Sequence, residues 1–259
     1  ACNRLQAGES RLVFTWDGVG YGEDGTLWGG EALLGQPGNW QRFATLRPFY
    51  LPGGERAGRE PWRSAAAVCW ETGKDWPQRP EVPSLLWQAW QRRLNTPQTT
   101  SAGRLFDAAA ALTGLCSEAS FEGQGPMLLE AICQGNGTPV ELPLSRDEDD
   151  LLMADWEPLL DILMNEIRPV ADRAAIFHAS MAETILQQAR QAGTVHGVSE
   201  IGLSGGVFQN RVLTELAVAL LENDGFSVTL PKTVPVNDAG ISFGQVIEYA
   251  AIHHGTDVT

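Results

Sequence analysis

Apolar and polar residues alternate over residues 11–16 (RLVFTW), the period-two pattern of a strand with one buried face. This strand is expected to enter a glycine-studded turn, Asp17-Gly18-Val19-Gly20-Tyr21-Gly22. A second strand should begin near Thr26 and pass through Trp28-Gly29-Gly30-Glu31, with further strands over 31–34 and 40–46 flanking a Gly35-Gln36-Pro37-Gly38 turn. Leu51-Pro52-Gly53-Gly54-Glu55 ends this sheet, and helical periodicity follows over 62–71 and 83–94, joined by a proline-rich connection. Residues 103–115 (GRLFDAAAALTGL) place Leu105, Ala109, Leu112 and Leu115 on one helical face. A turn at 123–126 precedes a helical stretch over 127–133. The charged run 145–150 reads as a solvated helix start, with helices over 151–166 and 171–192 ended by Pro169 and Gly193. A strand at 199–203, a helix from Arg211 to Asn223, a strand at 227–230 and a last helix at 241–253 complete the pattern. A hairpin sheet followed by alternating helices and strands predicts an α/β fold.

Charge narrows the partners. Lys plus Arg total 18 against 32 Asp plus Glu, a formal net charge of −14. That excess repels nucleic-acid backbone and anionic membrane, so neither is an expected partner. It leaves room for ATP, because a glycine nest, a metal and a few arginines can hold phosphates on an acidic protein. At 43% hydrophobic, the 259 residues can bury a substantial core. Cys2, Cys69, Cys116 and Cys133 lie far apart with no CxxC pair, as in a reduced, cytoplasmic protein. The start ACNRLQAGES has no signal-peptide character and no initiator Met, and reads as cut from something longer.

Three loops carry candidate chemistry. In the first, Asp17 opens a run whose glycines let backbone N–H groups converge on an anion, while the acid suits a metal; an ordinary hairpin would look the same. The second, Leu203-Ser204-Gly205-Gly206-Val207-Phe208-Gln209-Asn210, leads from strand to helix and aims a helix N-terminus at one spot, with Asn210 able to read a ribose or base. The third, Asn237-Asp238-Ala239-Gly240, offers Asp238 either as a helix cap or as a second metal carboxylate beside Asp17. Two carboxylates leave most metals under-ligated, and His178, His196, His253 and His254 sit in helical, loop or terminal contexts, so further ligands are expected outside this chain. Asp107 is an acid in an apolar helix, needing a partner such as a ligand hydroxyl if it is buried; a surface position beside Arg104 is the alternative. Glu122-Gly123-Gln124-Gly125 offers backbone access, and Arg59 and Arg63, four apart, could share a helix face aimed at an anion or form surface ion pairs. No Ser-His-Asp, Cys-His or P-loop pattern occurs.

The motifs WDGVGYGEDGTLWGGE, PGGERAGREPWR, GRLFDAAAALTGL, FEGQGP, LSGGVFQNR and PVNDAGISFGQ, in this order, resemble the C-terminal part of the HypF carbamoyltransferases that mature nickel–iron hydrogenases. The resemblance covers essentially the whole chain and implies the second half of a carbamoyltransferase module. It implies an α/β lobe of the actin/Hsp70/sugar-kinase type, a mixed sheet with flanking helices, similar to the threonylcarbamoyltransferases. The lobe core would be 1–50 and 170–259, with a largely helical insertion at 51–169.

The resemblance also implies a reaction: carbamoyl phosphate and ATP give carbamoyl-adenylate, whose carbamoyl group passes to the C-terminal cysteine of HypE for synthesis of the hydrogenase cyanide ligands. Asp17 and Asp238 are then expected as ligands of a divalent zinc or iron, completed by histidines outside this chain. Gly18, Gly20, Gly205, Gly206 and Asn210 are expected as nucleotide contacts, and Asp107 and Gly123 as ribose-side positions. No nucleophile or base is required of the chain, which is expected to be feeble alone. The alternatives are a small-molecule O-carbamoyltransferase, a non-catalytic HypE-docking lobe and, more weakly, a sugar-kinase-like ATPase.

Overall fold

In the computed structural model, which describes residues 10–135 and 137–254, the N-terminal alternation becomes strand β1 (Arg11–Tyr21). Leu12, Phe14 and Trp16 are buried on one face, and Arg11, Val13 and Thr15 are half-buried on the other. Cys2 lies outside the described residues. β1 pairs antiparallel with β2 (Leu27–Gln36), and β2 with β3 (Asn39–Leu46). The expected strands through 28–31 and 31–34 are thus one continuous strand.

Two expectations fail in this region. Residues 17–21 do not form a turn but stay in β1, and the reversal falls at 22–26, where Gly22 N–H donates to Thr26 O. Asp24 builds that reversal by accepting from the backbone N–H and the hydroxyl of Thr26, at 2.9 and 2.7 Å. Residues 145–150 are not a helix start either. Ser145 and Arg146 end β6 (Leu144–Arg146), and 147–150 form the reversal to β7 (Leu152–Ala154), which pairs with β6 and runs parallel to β3. Leu152 and Ala154 point into the core between strand partners, and the helix α5 (Glu157–Leu163) starts only where Pro158 fits its first turn.

Helices α1 (Trp62–Thr72) and α2 (Ser84–Gln91) agree with the periodicity. Strands β4 (Phe49–Tyr50) and β5 (Gln98–Thr99) pair beside the Leu27 end of β2 and lead into α3 (Ala102–Leu112). Helix α4 (Gln124–Ile132) begins three residues before the expected stretch, capped by Gly123 at φ 83°, with Pro126 tolerated in its first turn. Helix α6 (Val170–His196) runs through Gly193 and stops at Gly197, φ 67°. Then come β8 (Glu200–Ser204), α7 (Arg211–Asn223), β9 (Ser227–Thr229) and α8 (Ile241–His254).

The described residues form a nine-stranded sheet with main order β6-β7-β3-β2-β1-β8-β9. β8 runs parallel to β1, and β9 parallel to β8. The Phe14 face of the sheet packs against α3 and α6, where Phe106 meets Phe177 edge-on at 4.8 Å between centroids. The run Ala108–Ala111 is fully buried; its small side chains let α3 approach its neighbours closely. On the opposite face α8 is tied to the β2–β3 end, because Glu248 accepts from Gly38 N–H and Trp40 Nε1, at 2.6 and 2.8 Å. Among the described residues no helix is long and apolar enough to cross a membrane.

Candidate functional site

The site begins with a bulge. In the β1–β2 ladder Trp16 pairs with Gly30 and Gly20 with Trp28, so Asp17, Gly18 and Val19 oppose the single residue Gly29. Gly29 has φ 150°, and a Cβ there would stand 2.6 Å from Asp17 O, so only glycine lets β2 pass under the bulge. A buried acid that the sequence reading did not single out holds this geometry. Glu31 Oε2 accepts the N–H groups of Gly29 and Gly30, and Oε1 accepts from Arg42, Thr45 and Thr100. From the other side α3 abuts the bulge. Ser101 caps α3 by accepting Arg104 N–H, and its Oγ lies 2.8 and 2.7 Å from the carbonyl oxygens of Asp17 and Gly18, which share its one proton.

Asp17 opens into a cleft of about 890 Å³ between the Val13/Thr15 sheet face, the Ser204–Gly205 turn, the loop 234–238 and the start of α8. Gly20, Gly205 and Asp238 line the same cleft, so three separated motifs meet there. Gly205 N–H donates to Val236 O at 2.9 Å, which fixes one loop to the other. A Cβ on Gly206 would stand 2.9 Å from Asp17 Oδ1, so that glycine leaves the carboxylate room. Asp17 Oδ1 accepts the Gly18 N–H at 2.7 Å. Asp238 is exposed in a single 3₁₀ turn capped by Asn237 Oδ1. Among the described residues no group of three His, Cys, Asp or Glu could hold a metal. Asp17 and Asp238 therefore supply two carboxylates to one cleft, which does not make a complete metal site.

Gly18, Asp107 and Gly123 do not line that cleft; Gly18 and Asp107 meet around Arg104. Arg104 is buried, donating through Nε to Gly18 O (3.2 Å), through Nη1 to Asp107 Oδ2 (2.7 Å) and through Nη2 to Glu122 Oε1 (2.8 Å). Asp107 is buried, and its carboxyl is pushed up to about 7, chiefly by desolvation, with Arg104 opposing and Glu122 adding to the rise. Gly123 follows Glu122 directly, with open space where a side chain would point.

Asn210 faces inward. Its Oδ1 caps α7 by accepting Leu213 N–H, and its Nδ2 lies 2.9 Å from His178 Nε2. His178 Nδ1 lies 2.8 Å from Ala174 O, a carbonyl that only accepts, so the proton sits on Nδ1 and Nε2 accepts from Asn210. Burial holds the imidazole below its usual range, and the ring is neutral. His178 is thus a satisfied structural histidine. Arg59 and Arg63 do not share a helix face. α1 starts at Trp62, Arg63 is buried against Glu60 (2.6 Å) and the Trp62 ring, and Arg59 is exposed in the preceding loop.

With this geometry in place, the similarity to known proteins is specific. Residues 13–245 match the family described as "Carbamoyltransferase, Kae1-like Domain, second subdomain". The chain belongs to this HypF carbamoyltransferase family. It is 38% identical to the carbamoyltransferase HypF of Synechocystis sp. over 92% of this chain and 34% of that protein. It is 36% identical to the HypF of Rhizobium leguminosarum over 90% of this chain and 31% of that protein. The chain spans about a third of the length of these curated relatives. A full-length HypF solved in the phosphate- and nucleotide-bound form superposes with TM-score 0.90 and 30% identity, over 97% of this chain and 34% of that one. A tRNA N6-adenosine threonylcarbamoyltransferase from Moorella thermoacetica is 27% identical over 61% of this HypF-type lobe and 48% of its own length. The fold is accordingly a Kae1-like lobe of the actin/Hsp70/sugar-kinase type.

Proposed function

We propose that this lobe forms one wall of a carbamoyltransferase site that handles carbamoyl-adenylate made from carbamoyl phosphate and ATP. The acceptor would be the C-terminal cysteine of HypE. The observation that carries this reading is the meeting of the Asp17, Gly205 and Asp238 motifs at one cleft, with the Asp107 cluster on the far side of the same bulge.

In this reading the carbamoyl end lies at Asp17 and Asp238, and the adenosine end toward Asp107 and Gly123. Asp107 Oδ2 is held by Arg104, while Oδ1 takes no hydrogen bond from a described residue and is available to a ribose hydroxyl. Gly20, Gly205 and Gly206 contribute by close backbone approach. Gly18 contributes differently, because its N–H is taken by Asp17 and its C=O by Arg104 and Ser101. Asn210 likewise acts by fixing α7 and the 205–210 segment, since both ends of its amide are engaged. Asp17 and Asp238 would contribute to a zinc or iron site completed by ligands from elsewhere, and such an ion would polarise the carbamoyl group.

An incomplete wall also accounts for a bare surface. Val246, Tyr249 and Ile252 on α8 are 64, 65 and 54% exposed, as expected of a face that a further lobe would cover. The lobe by itself should therefore show little or no transfer. The test is HypE carbamoylation by the full-length protein, read as addition of one carbamoyl group to its C-terminal cysteine by mass spectrometry. Asp17→Asn and Asp107→Ala should each abolish the modification without unfolding the protein. Full modification by both variants would contradict the assignment.

A further inference from the structure

We propose that Arg104 is a positioning residue of the adenosine site, a buried clamp that fixes the Gly18 backbone and the Asp107 carboxylate as one unit. The inference rests on reading the Asp107 side as the ribose end. A guanidinium this buried is costly unless its donors are met, and Arg104 meets them on three different chain segments: the β1 bulge, its own helix and the loop before α4. The glycines around it are explained by its bulk. A Cβ on Gly18 would stand 2.9 Å from Arg104 Nη2, and one on Gly58 would stand 3.4 Å from Nη1. The missing side chain at Gly18 therefore makes room for a guanidinium, not for a phosphate.

The clamp bears on the ligand through Asp107. Arg104 binds Oδ2 alone and so turns Oδ1 toward Gly125, whose absent side chain would stand 3.6 Å away. The charged and titratable groups facing Asp107 are Arg104 on its own helix, Glu122 in the following loop and the Cys116 thiol, of which Arg104 is the cation. Removing that cation leaves a buried carboxylate beside Glu122, which favours its protonated form.

The experiment is calorimetric titration of the chain with AMP from pH 5.5 to 8.5, for wild type, Arg104→Lys, Arg104→Gln and Asp107→Ala. Wild type should bind AMP well at pH 8 and more weakly as pH falls through about 7. Arg104→Gln should lose roughly tenfold in affinity at pH 7 and shift its pH midpoint upward by about one unit. Arg104→Lys should recover part of both, which a role confined to packing would not produce. If Arg104→Gln does not fold, Arg104→Lys decides: an unchanged affinity and pH midpoint overturn the clamp. Unchanged AMP binding in both Arg104 variants, with loss in Asp107→Ala, overturns Arg104 and leaves the ribose reading standing. Undiminished binding in Asp107→Ala, or none in wild type at any pH, overturns the ribose reading and the clamp with it.

Discussion

Glu31→Gln changes one oxygen for an NH₂ group, and the structure says what that costs. The native carboxylate accepts from five donors: two backbone N–H groups on Oε2, and Arg42 with two threonine hydroxyls on Oε1. An amide accepts on one side only. If its NH₂ faces Gly29 and Gly30, two buried backbone donors lose their acceptor. If it faces the other way, the threonine hydroxyls can turn to accept, but the Arg42 guanidinium then meets another donor. Hydrogen bonds to a charged group contribute about 1.5–3 kcal/mol each, and breaking a buried ion pair costs about 3–5 kcal/mol. A loss of about 3 kcal/mol is expected, because Arg42 keeps a second partner in Asp24 at 3.1 Å. For a chain of this size that lowers the melting temperature by about 6–12 °C, from about 2–4 °C per kcal/mol. Calorimetric or circular-dichroism melting reads the shift, and hydrogen exchange should show faster opening of the Gly29 and Gly30 amides. A fall of less than about 2 °C would refute the reasoning, since it corresponds to under about 1 kcal/mol.

Other substitutions test other parts of the site. Gly205→Ala places a Cβ 2.2 Å from Trp16 O at φ 99° and should cost more than about 3 kcal/mol, read by denaturant unfolding. Gly225→Ala, at φ 96° with nothing within 4 Å, should cost only about 1–2 kcal/mol; equal costs would refute the close-approach argument. His178 is held below its ordinary value of 6.5, so the unfolded chain binds the proton first and the native state loses stability as pH falls below that value. Asp107, raised from 3.8 to about 7, has the opposite sign, its contribution falling as pH rises between those values. Between pH 7.5 and 5.5 the two groups therefore oppose each other: on acidification His178→Gln should shift the stability change toward a gain, and Asp107→Asn toward a loss; no change in either variant would contradict both assignments.

The strands β1 and β3 and the helices α1, α3 and α7 were legible because their patterns belong to their own residues. Leu12, Phe14 and Trp16 alternate whatever lies opposite them, and the apolar face of α3 repeats at helical spacing. The bulge at Asp17 was not legible, because it exists only in the register of β1 against β2. A glycine-rich run reads as a turn until a partner strand is found for it. The 151–156 stretch was misread for a related reason. Its apolar run suits either period, and the strand that decides, β3, lies far off in sequence. Asp17, Gly205 and Asp238 stand out by their glycine-rich or acidic motifs, and the structure brings the three to one cleft. In the sequence Arg104 reads only as a surface neighbour of Asp107 and Glu31 only as a strand residue, although each left a signal. Arg104 stands three residues before Asp107 in an otherwise apolar helix and three after the capping Ser101, and Glu31 directly follows a glycine pair in a strand.

The central claim, that this lobe carries the adenosine end of a carbamoyl-adenylate site, is tested most directly by titrating the chain with AMP in the absence and presence of zinc or iron. The account predicts AMP binding without metal that Asp107→Ala removes, because the residues it assigns to the adenosine side, Asp107 and Gly123, belong to this chain. Absence of AMP binding under both conditions would contradict it.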